Sequence, residues 1–220
     1  MHAGLQGQNI YCSRRMKTQV VKKIGMTELF DETAKFQAVT VLEVSPCVVT
    51  QVKCQDVDGY TAIQIGYGSK QQQTKPEAGH ARNHGKFRHL REIRVPQDSL
   101  GEFAAGQKIQ MLGWEVGERI NLQGVSKGKG FAGNVKRHNF TTGPKTHGSD
   151  NYRKPGSIGA CSYPGHILKG KRMAGRMGTD RITLRNLKIV KIIPERNILF
   201  VNGSVPGPRG SLAIISSAEK

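Results

Sequence analysis

The chain has 220 residues, enough for a sizeable hydrophobic core in one or two domains. It carries 34 Lys and Arg against 16 Asp and Glu, a formal charge of +18. A balance of that size is extreme for a globular enzyme at neutral pH and points to nucleic acid or an anionic surface.

The excess is not spread evenly. Residues 16–123 hold 14 basic and 12 acidic residues, and residues 179–220 hold 7 and 3. Residues 124–178 hold 11 and only one acid, Asp150. No run approaches the roughly 18 apolar residues that a membrane span needs, so no membrane partner is expected. The N-terminus has no basic region followed by an apolar stretch, which argues against a signal peptide. Cys12, Cys47, Cys54 and Cys161 are widely spread with no C-x-x-C pair, which fits reduced thiols in a cytoplasmic compartment.

In chain order, residues 1–15 show no period and read as a flexible tail, with Met16 a candidate alternative start. From Val20 the pattern is β. VVKKIGMT leads to a turn-prone stretch at Asp31 to Thr33, and FQAVTVLEV (36–44) is rich in β-branched residues. Pro46 interrupts, CVVTQVKC (47–54) resumes, Asp58-Gly59 marks a turn, and YTAIQIGYG (60–68) alternates. Alternation bounded by Gly, Pro and Asp is the signature of half-buried strands. Residues 69–94 form a second basic excursion. Pro76 and Glu77 suit the first turn of a short helix there. Lys75, His80, Arg82, His84, Lys86 and Arg88 make it a secondary basic patch. Strand signals return at QKIQMLGWEV and ERINLQGVS, separated by Gly117. They recur at RITLRNLKIVKII (181–193), at NILFVNG after a turn at Pro194 to Asn197, and at SLAIIS. Residues 217–220 read as a C-terminal tail. About eight short strands with little helix predict a mainly β fold, a closed or nearly closed antiparallel barrel.

Between the strands lie residues 124–178, with 12 Gly in 55 residues and few branched aliphatics. Such a segment cannot bury enough apolar surface to offset its ordering entropy, so it is expected to take its shape from a polyanion, RNA above all. Gly128 to Gly133 spell G-x-G-x-x-G, but NVKRHNFTTGPKT is a poor helix and no suitable acid follows, which argues against dinucleotide binding. A glycine-rich backbone that approaches phosphates closely fits better. Lys127, Lys129, Lys136, Arg137, Lys145, Arg153, Lys154, Lys169, Lys171, Arg172 and Arg176 would supply the positive charge. Phe131, His138, Phe140, His147, Tyr152, Tyr163 and His166 are interleaved with these cations. Rings so placed stack on unpaired bases, and His138, Tyr152 and Tyr163 are the strongest candidates for base or sugar contacts. For Phe131 and Phe140, packing within the protein is an equal alternative. Pro144, Pro155 and Pro164 would stiffen turns.

Other chemistries lack a complete set. His80 and His84 are four apart, a metal-compatible spacing on a helix, but no acid or Cys completes the ligands, so no metal and no cofactor is expected. Cys161 with His147 or His166 lacks a third group to orient the base, so neither an enzyme nor a small-molecule substrate is expected.

The words SKGKGFAG, VKRHNF, THGS, PGSIG and KGKRMAGRMG resemble one family, as do KKIGMTELFDE, TKPEAGHA and VNGSVPGPRGS. The resemblance is to the ribosomal protein L-three family of the large subunit, in its bacterial-type form. It runs from residue 16 to about 215. It implies a translation-protein type β-barrel at 16–123 and 179–216, with an rRNA-penetrating extension at 124–178. It further implies binding to large-subunit rRNA early in assembly, reach toward the peptidyl transferase centre, and contact with neighbouring large-subunit ribosomal proteins. The tip of the extension would lie at Pro155, Gly156, Ser157, Gly159, Ala160, Cys161, Ser162 and Pro164. The family often carries a Gln, which some bacteria methylate, where Ala160 stands, so that modification is not expected. Residues 1–15 fall outside the family pattern. A freestanding RNA chaperone or architectural module is the alternative, and it would be found free rather than in large-subunit fractions.

Overall fold

The computed structural model describes residues 17–30, 34–44, 46–81, 84–109 and 113–218. The expected tail at 1–15 and Arg82 of the secondary patch lie outside them. The strands in chain order are β1 (Thr18–Phe30), β2 (Phe36–Val44), β3 (Cys47–Lys53), β4 (Ala62–Ser69), β5 (Phe87–Arg94) and β6 (Lys108–Ile109). They continue with β7 (Arg119–Val125), β8 (Phe131–Ala132), β9 (Gly175–Arg176), β10 (Arg181–Ile193), β11 (Ile198–Asn202) and β12 (Leu212–Ser217). Three short helices accompany them: α1 (Gln55–Asp58), α2 (Lys75–His80) and α3 (Asn134–His138).

Six strands close a barrel in the order β1-β12-β7-β10-β11-β2, the mainly β antiparallel architecture expected from the alternating pattern. Its interior is filled by Val21, Leu42, Val44, Ile120, Leu122, Ile189, Leu199, Val201 and Ile215, and Trp114 packs in the same cluster. These residues alternate with exposed or half-buried ones along β7, β11 and β12, as a pleated strand with one wet face requires. In β10 the alternation is imperfect. Only Ile189 is fully buried, while Leu187 and Ile192 pack at the margin, and the ladder shifts register between Ile189 and Lys191. That irregularity lets one 13-residue strand serve where the sequence suggests one bent strand or two.

The sequence reading anticipates one barrel of about eight strands. The structure adds a separate four-stranded sheet, β5-β4-β3-β6. A second apolar cluster joins Val20, Cys47, Ile63, Ile65, Tyr67, Ile93 and Val95 with Leu212 and Ile214. Val20 and Val21 therefore face different cores, as do Ile214 and Ile215. This is why Val20-Val21 in β1 and Leu212 to Ile215 in β12 are consecutive apolar residues rather than alternating ones. β5 escapes the sequence reading because FRHLREIR is half charged and only Ile93 is deeply buried. Pairing along β4, from Ala62↔Arg94 to Ser69↔Phe87, overrides its weak local preference. Gly66 makes this pairing possible, because the Phe87 ring occupies the place a Cβ would take. Across the outer face Lys53 pairs with Glu92 at 2.9 Å, and both bond the Tyr60 hydroxyl. The bond from Lys53 holds the Glu92 carboxyl below its usual range.

Contacts divide the described chain into two units. One runs up to Val125 and resumes at Ile182; the other is Ser126–Arg181.

Candidate nucleic-acid interface

The second unit begins as a ribbon of two antiparallel runs. The Ser126 amide donates to the Asp180 carbonyl at 2.9 Å, and the Asp180 amide donates to Ser126 Oγ at 3.1 Å. Further along, Lys129 N–H meets the Met177 carbonyl and Met177 N–H meets the Gly130 carbonyl, both at 2.9 Å. Then β8 pairs with β9, Phe131 opposite Arg176 and Ala132 opposite Gly175. Gly178 has φ +79°, and a Cβ there would run into the Lys127 carbonyl. Only glycine lets the two runs approach so closely.

Gly133 leads into α3, and Asn139 at φ +59° closes it by donating its N–H to the Asn134 carbonyl. The helix sets Arg137 and His138 against the returning chain. Arg137 Nη1 donates to the Met173 carbonyl at 2.8 Å. His138 Nε2 lies 3.0 Å from the same oxygen. A carbonyl only accepts, so that nitrogen carries the ring proton. The G-x-G-x-x-G segment is therefore part of a β-ribbon followed by a five-residue helix, not a phosphate loop opening a long helix.

Beyond the helix the chain folds on itself once more, through Gly143 N–H to the Tyr152 carbonyl at 2.9 Å. Lys145 Nζ stands 5.5 Å above the Tyr152 ring, close enough for a cation–π contact. His147 sits in the left-handed region at φ +60° with its side chain exposed. From Arg153 to Arg172 every residue is exposed. This stretch includes Lys154, Lys169, Lys171 and all the expected tip residues, Pro155 to Pro164. Its bonds are local: Ser157 Oγ donates to the Gly159 carbonyl, His166 Nδ1 to the Pro164 carbonyl. Cys161 has Ser162 beside it, and His166 is engaged with Pro164. The two are not a bonded pair.

The rings divide. Phe131 is 80% exposed and Tyr163 is 90% exposed, with apolar area open to a partner. Phe140 is half-buried beside His138, with ring centroids 6.1 Å apart. Of the charges, Lys127, Lys129, Lys136, Lys145, Arg153, Arg172 and Arg176 also point to solvent. Four ion pairs bind Lys17, Lys22, Lys53 and Lys70 to glutamates in the other unit. Among the described residues none lies within Ser126–Arg181. The unit thus presents 12 Lys and Arg against two Asp with no internal neutralisation.

The secondary patch is differently used. α2 starts where Pro76 and Glu77 suggest, with Glu77 accepting from the Thr74 amide at 3.0 Å and from Lys70 at 2.8 Å. The helix stops at His80, so His80 and His84 do not share a helix face. Thr50 Oγ1 donates to the buried Gln64 Oε1, and Gln64 Nε2 lies 3.1 Å from His80 Nε2. His80 accepts there, so its ring anchors the fold. Lys75, Lys86 and Arg88 are exposed, and His84 is half-buried. His89, which is half-buried, is held below its usual range first by burial and then by Arg88 and Arg91.

One feature has no signal in the linear sequence. Asn121, Gln123, Thr183, Arg185 and Asn186 line a groove of about 710 Å³ on the barrel unit together with Lys17 and Glu92. These polar groups come from segments far apart in the chain: Asn121 and Gln123 from β7, Thr183, Arg185 and Asn186 from β10, and Glu92 from β5 of the second sheet.

The fold and this surface define a class: a small β-barrel protein that carries a cationic, glycine-rich appendage. Comparison with known proteins narrows it. A family model described as Ribosomal protein L3 matches residues 103–197. Large ribosomal subunit protein uL3 of Acidothermus cellulolyticus is 46% identical over 212 residues, covering 94% of this chain and 95% of that protein. The uL3 of Dehalococcoides mccartyi is 48% identical over 90% of this chain and 97% of its own length. The uL3c of Phaeodactylum tricornutum is 49% identical over 89% and 96%. The chain belongs to the uL3 family of ribosomal proteins.

Proposed function

We propose that the chain is a structural constituent of the large ribosomal subunit that binds large-subunit rRNA through its glycine-rich extension. The observation that carries this reading is the unit Ser126–Arg181, with 12 basic and two acidic residues. Twenty consecutive residues, 153–172, are exposed there, with no ion pair among the described residues. A surface of that kind suits neutralisation of closely spaced phosphates. Division into a barrel at 16–123 and 179–216 and an extension at 124–178 follows the same logic. Exposed Lys127, Lys129, Lys136, Arg153, Lys154, Lys169, Lys171, Arg172 and Arg176 meet phosphates. Phe131, Tyr152 and Tyr163 offer stacking faces. Arg137 and His138 shape the extension first and contact RNA with the donors that remain.

Like the family it belongs to, the protein acts early in subunit assembly. Its tip, Pro155 to Pro164, reaches toward the peptidyl transferase centre without supplying a reacting group. The ribosome is the cytoplasmic one; the unbridged Cys47, Cys54 and Cys161 agree with a reducing compartment. The test is sedimentation of tagged full-length protein from growing cells. The chain is expected almost wholly in large-subunit fractions. Recovery mostly as free protein would contradict this reading.

A further inference from the structure

The barrel unit also carries a surface that RNA does not explain. β1 and β2 pair from Val21↔Val44 out to Phe30↔Phe36. Their outer neighbours stop short of that end. β12 pairs with β1 only as far as Lys22, followed by Lys23 bonded to Ser211 and Gly210. β11 follows β2 to Val39, and Gly203 bonds Ala38. Beyond those points the two strands run on as a hairpin arm with both outer edges unpaired among the described residues. Two-stranded arms of this kind are marginal in water unless something packs on them, and open strand edges recruit further chain.

One face of the arm carries its large apolar side chains, with Glu28 among them. Phe30 and Phe36 sit opposite each other, ring centroids 5.9 Å apart and edge to face. They are 76% and 58% exposed, and Met26, on the same face two pairs further in, is 46% exposed. Aromatic and Met side chains that remain open while paired are the composition of interface cores. In a chain of charge +18, residues 24–34 contain no Lys or Arg and three acids. Glu28, exposed between Met26 and Phe30, is one of them. Lys35, exposed beside Phe36, is the one cation among residues 24–35, which remain net negative. RNA is a poor occupant of an apolar, acidic arm, whereas a protein segment rich in Lys and Arg is complementary to it.

We propose that the β1–β2 arm is the docking site for a cationic protein neighbour. That partner lays an apolar segment over Phe30, Phe36 and Met26, and adds strand-like hydrogen bonds along the free edge of β1. The proposal rests on the ribosomal reading only for the source of the partner, a basic protein of the same subunit.

The test uses full-length chain carrying a photo-cross-linking phenylalanine analogue at position 30 or, separately, at position 163 in the extension. Irradiation of isolated large subunits is expected to join position 30 to one basic protein and position 163 to RNA. Phe30→Lys, and independently Phe36→Ser, should lower the partner's occupancy in those subunits about tenfold or more, as loss of a central anchor does. Both side chains are mostly exposed, so the free chain should stay folded, losing only the small contribution of the Phe30–Phe36 ring contact. Cross-links from position 30 to RNA, or none while position 163 still reaches RNA, would overturn the docking proposal and leave the ribosomal reading intact. If neither position reaches a subunit component, the ribosomal reading fails, and the docking proposal fails with it.

Discussion

Burial decides how the cysteine thiols behave. Cys47 lies in the second core at 1% exposure, and burial pushes its thiol up to about 11. Cys54 and Cys161 are exposed. The thiolate is the reactive species, so an alkylating reagent at pH near 8 should modify Cys54 and Cys161 at once and reach Cys47 only when the protein unfolds. Comparable rates for all three, followed by peptide mass mapping, would place Cys47 outside the core. Placement of Cys47 on a strand was legible from CVVTQVKC. The role of His80 was not. In the sequence it reads as one member of the secondary basic patch, and only the fold brings Gln64 and Thr50 to it.

At the level of elements the ribbon that opens the extension turns on a single glycine. Gly178 combines φ +79° with the near contact to the Lys127 carbonyl. Gly178→Val would have to open the pairing of residues 126–132 with 175–180, at a cost of at least about 1 kcal/mol from backbone strain alone. The expected result is weaker binding to large-subunit rRNA fragments with an unchanged melting temperature of the barrel. Full affinity in this variant would mean that the ribbon does not position the cations. The strands were read from sequence in proportion to how local their cause is. FQAVTVLEV matches β2 from Phe36 to Val44, because β-branched residues and flanking breakers both point to a strand. β5 was missed, since its pairing with β4 is fixed by partners 18 to 32 residues away and not by its own composition. The short α2 was legible because Pro76 and Glu77 act within one turn.

For the whole molecule, charge was the most legible property. The composition of residues 124–178 marks them off from balanced flanks, and the contact division at Ser126 and Arg181 falls close by. The geometry inside that segment was not legible. A glycine-rich sequence specifies few local preferences, and the ribbon, α3 and the Met173 contacts depend on residues some 35 to 54 apart. The central claim is that RNA affinity resides in this unit while the barrel folds without it. Ser126 and Asp180 are bonded neighbours, so a short Gly–Ser bridge can replace residues 127–177 without stretching the chain. The direct measurement is a salt titration of binding to large-subunit rRNA fragments, full-length protein against this deletion. With roughly six to ten phosphates engaged, full-length affinity should fall about 10³- to 10⁵-fold between roughly 50 and 200 mM salt. The deletion should remain folded, bind weakly and show a shallow slope. A shallow slope for the full-length chain, unchanged in the deletion, would contradict the account and place recognition on the barrel.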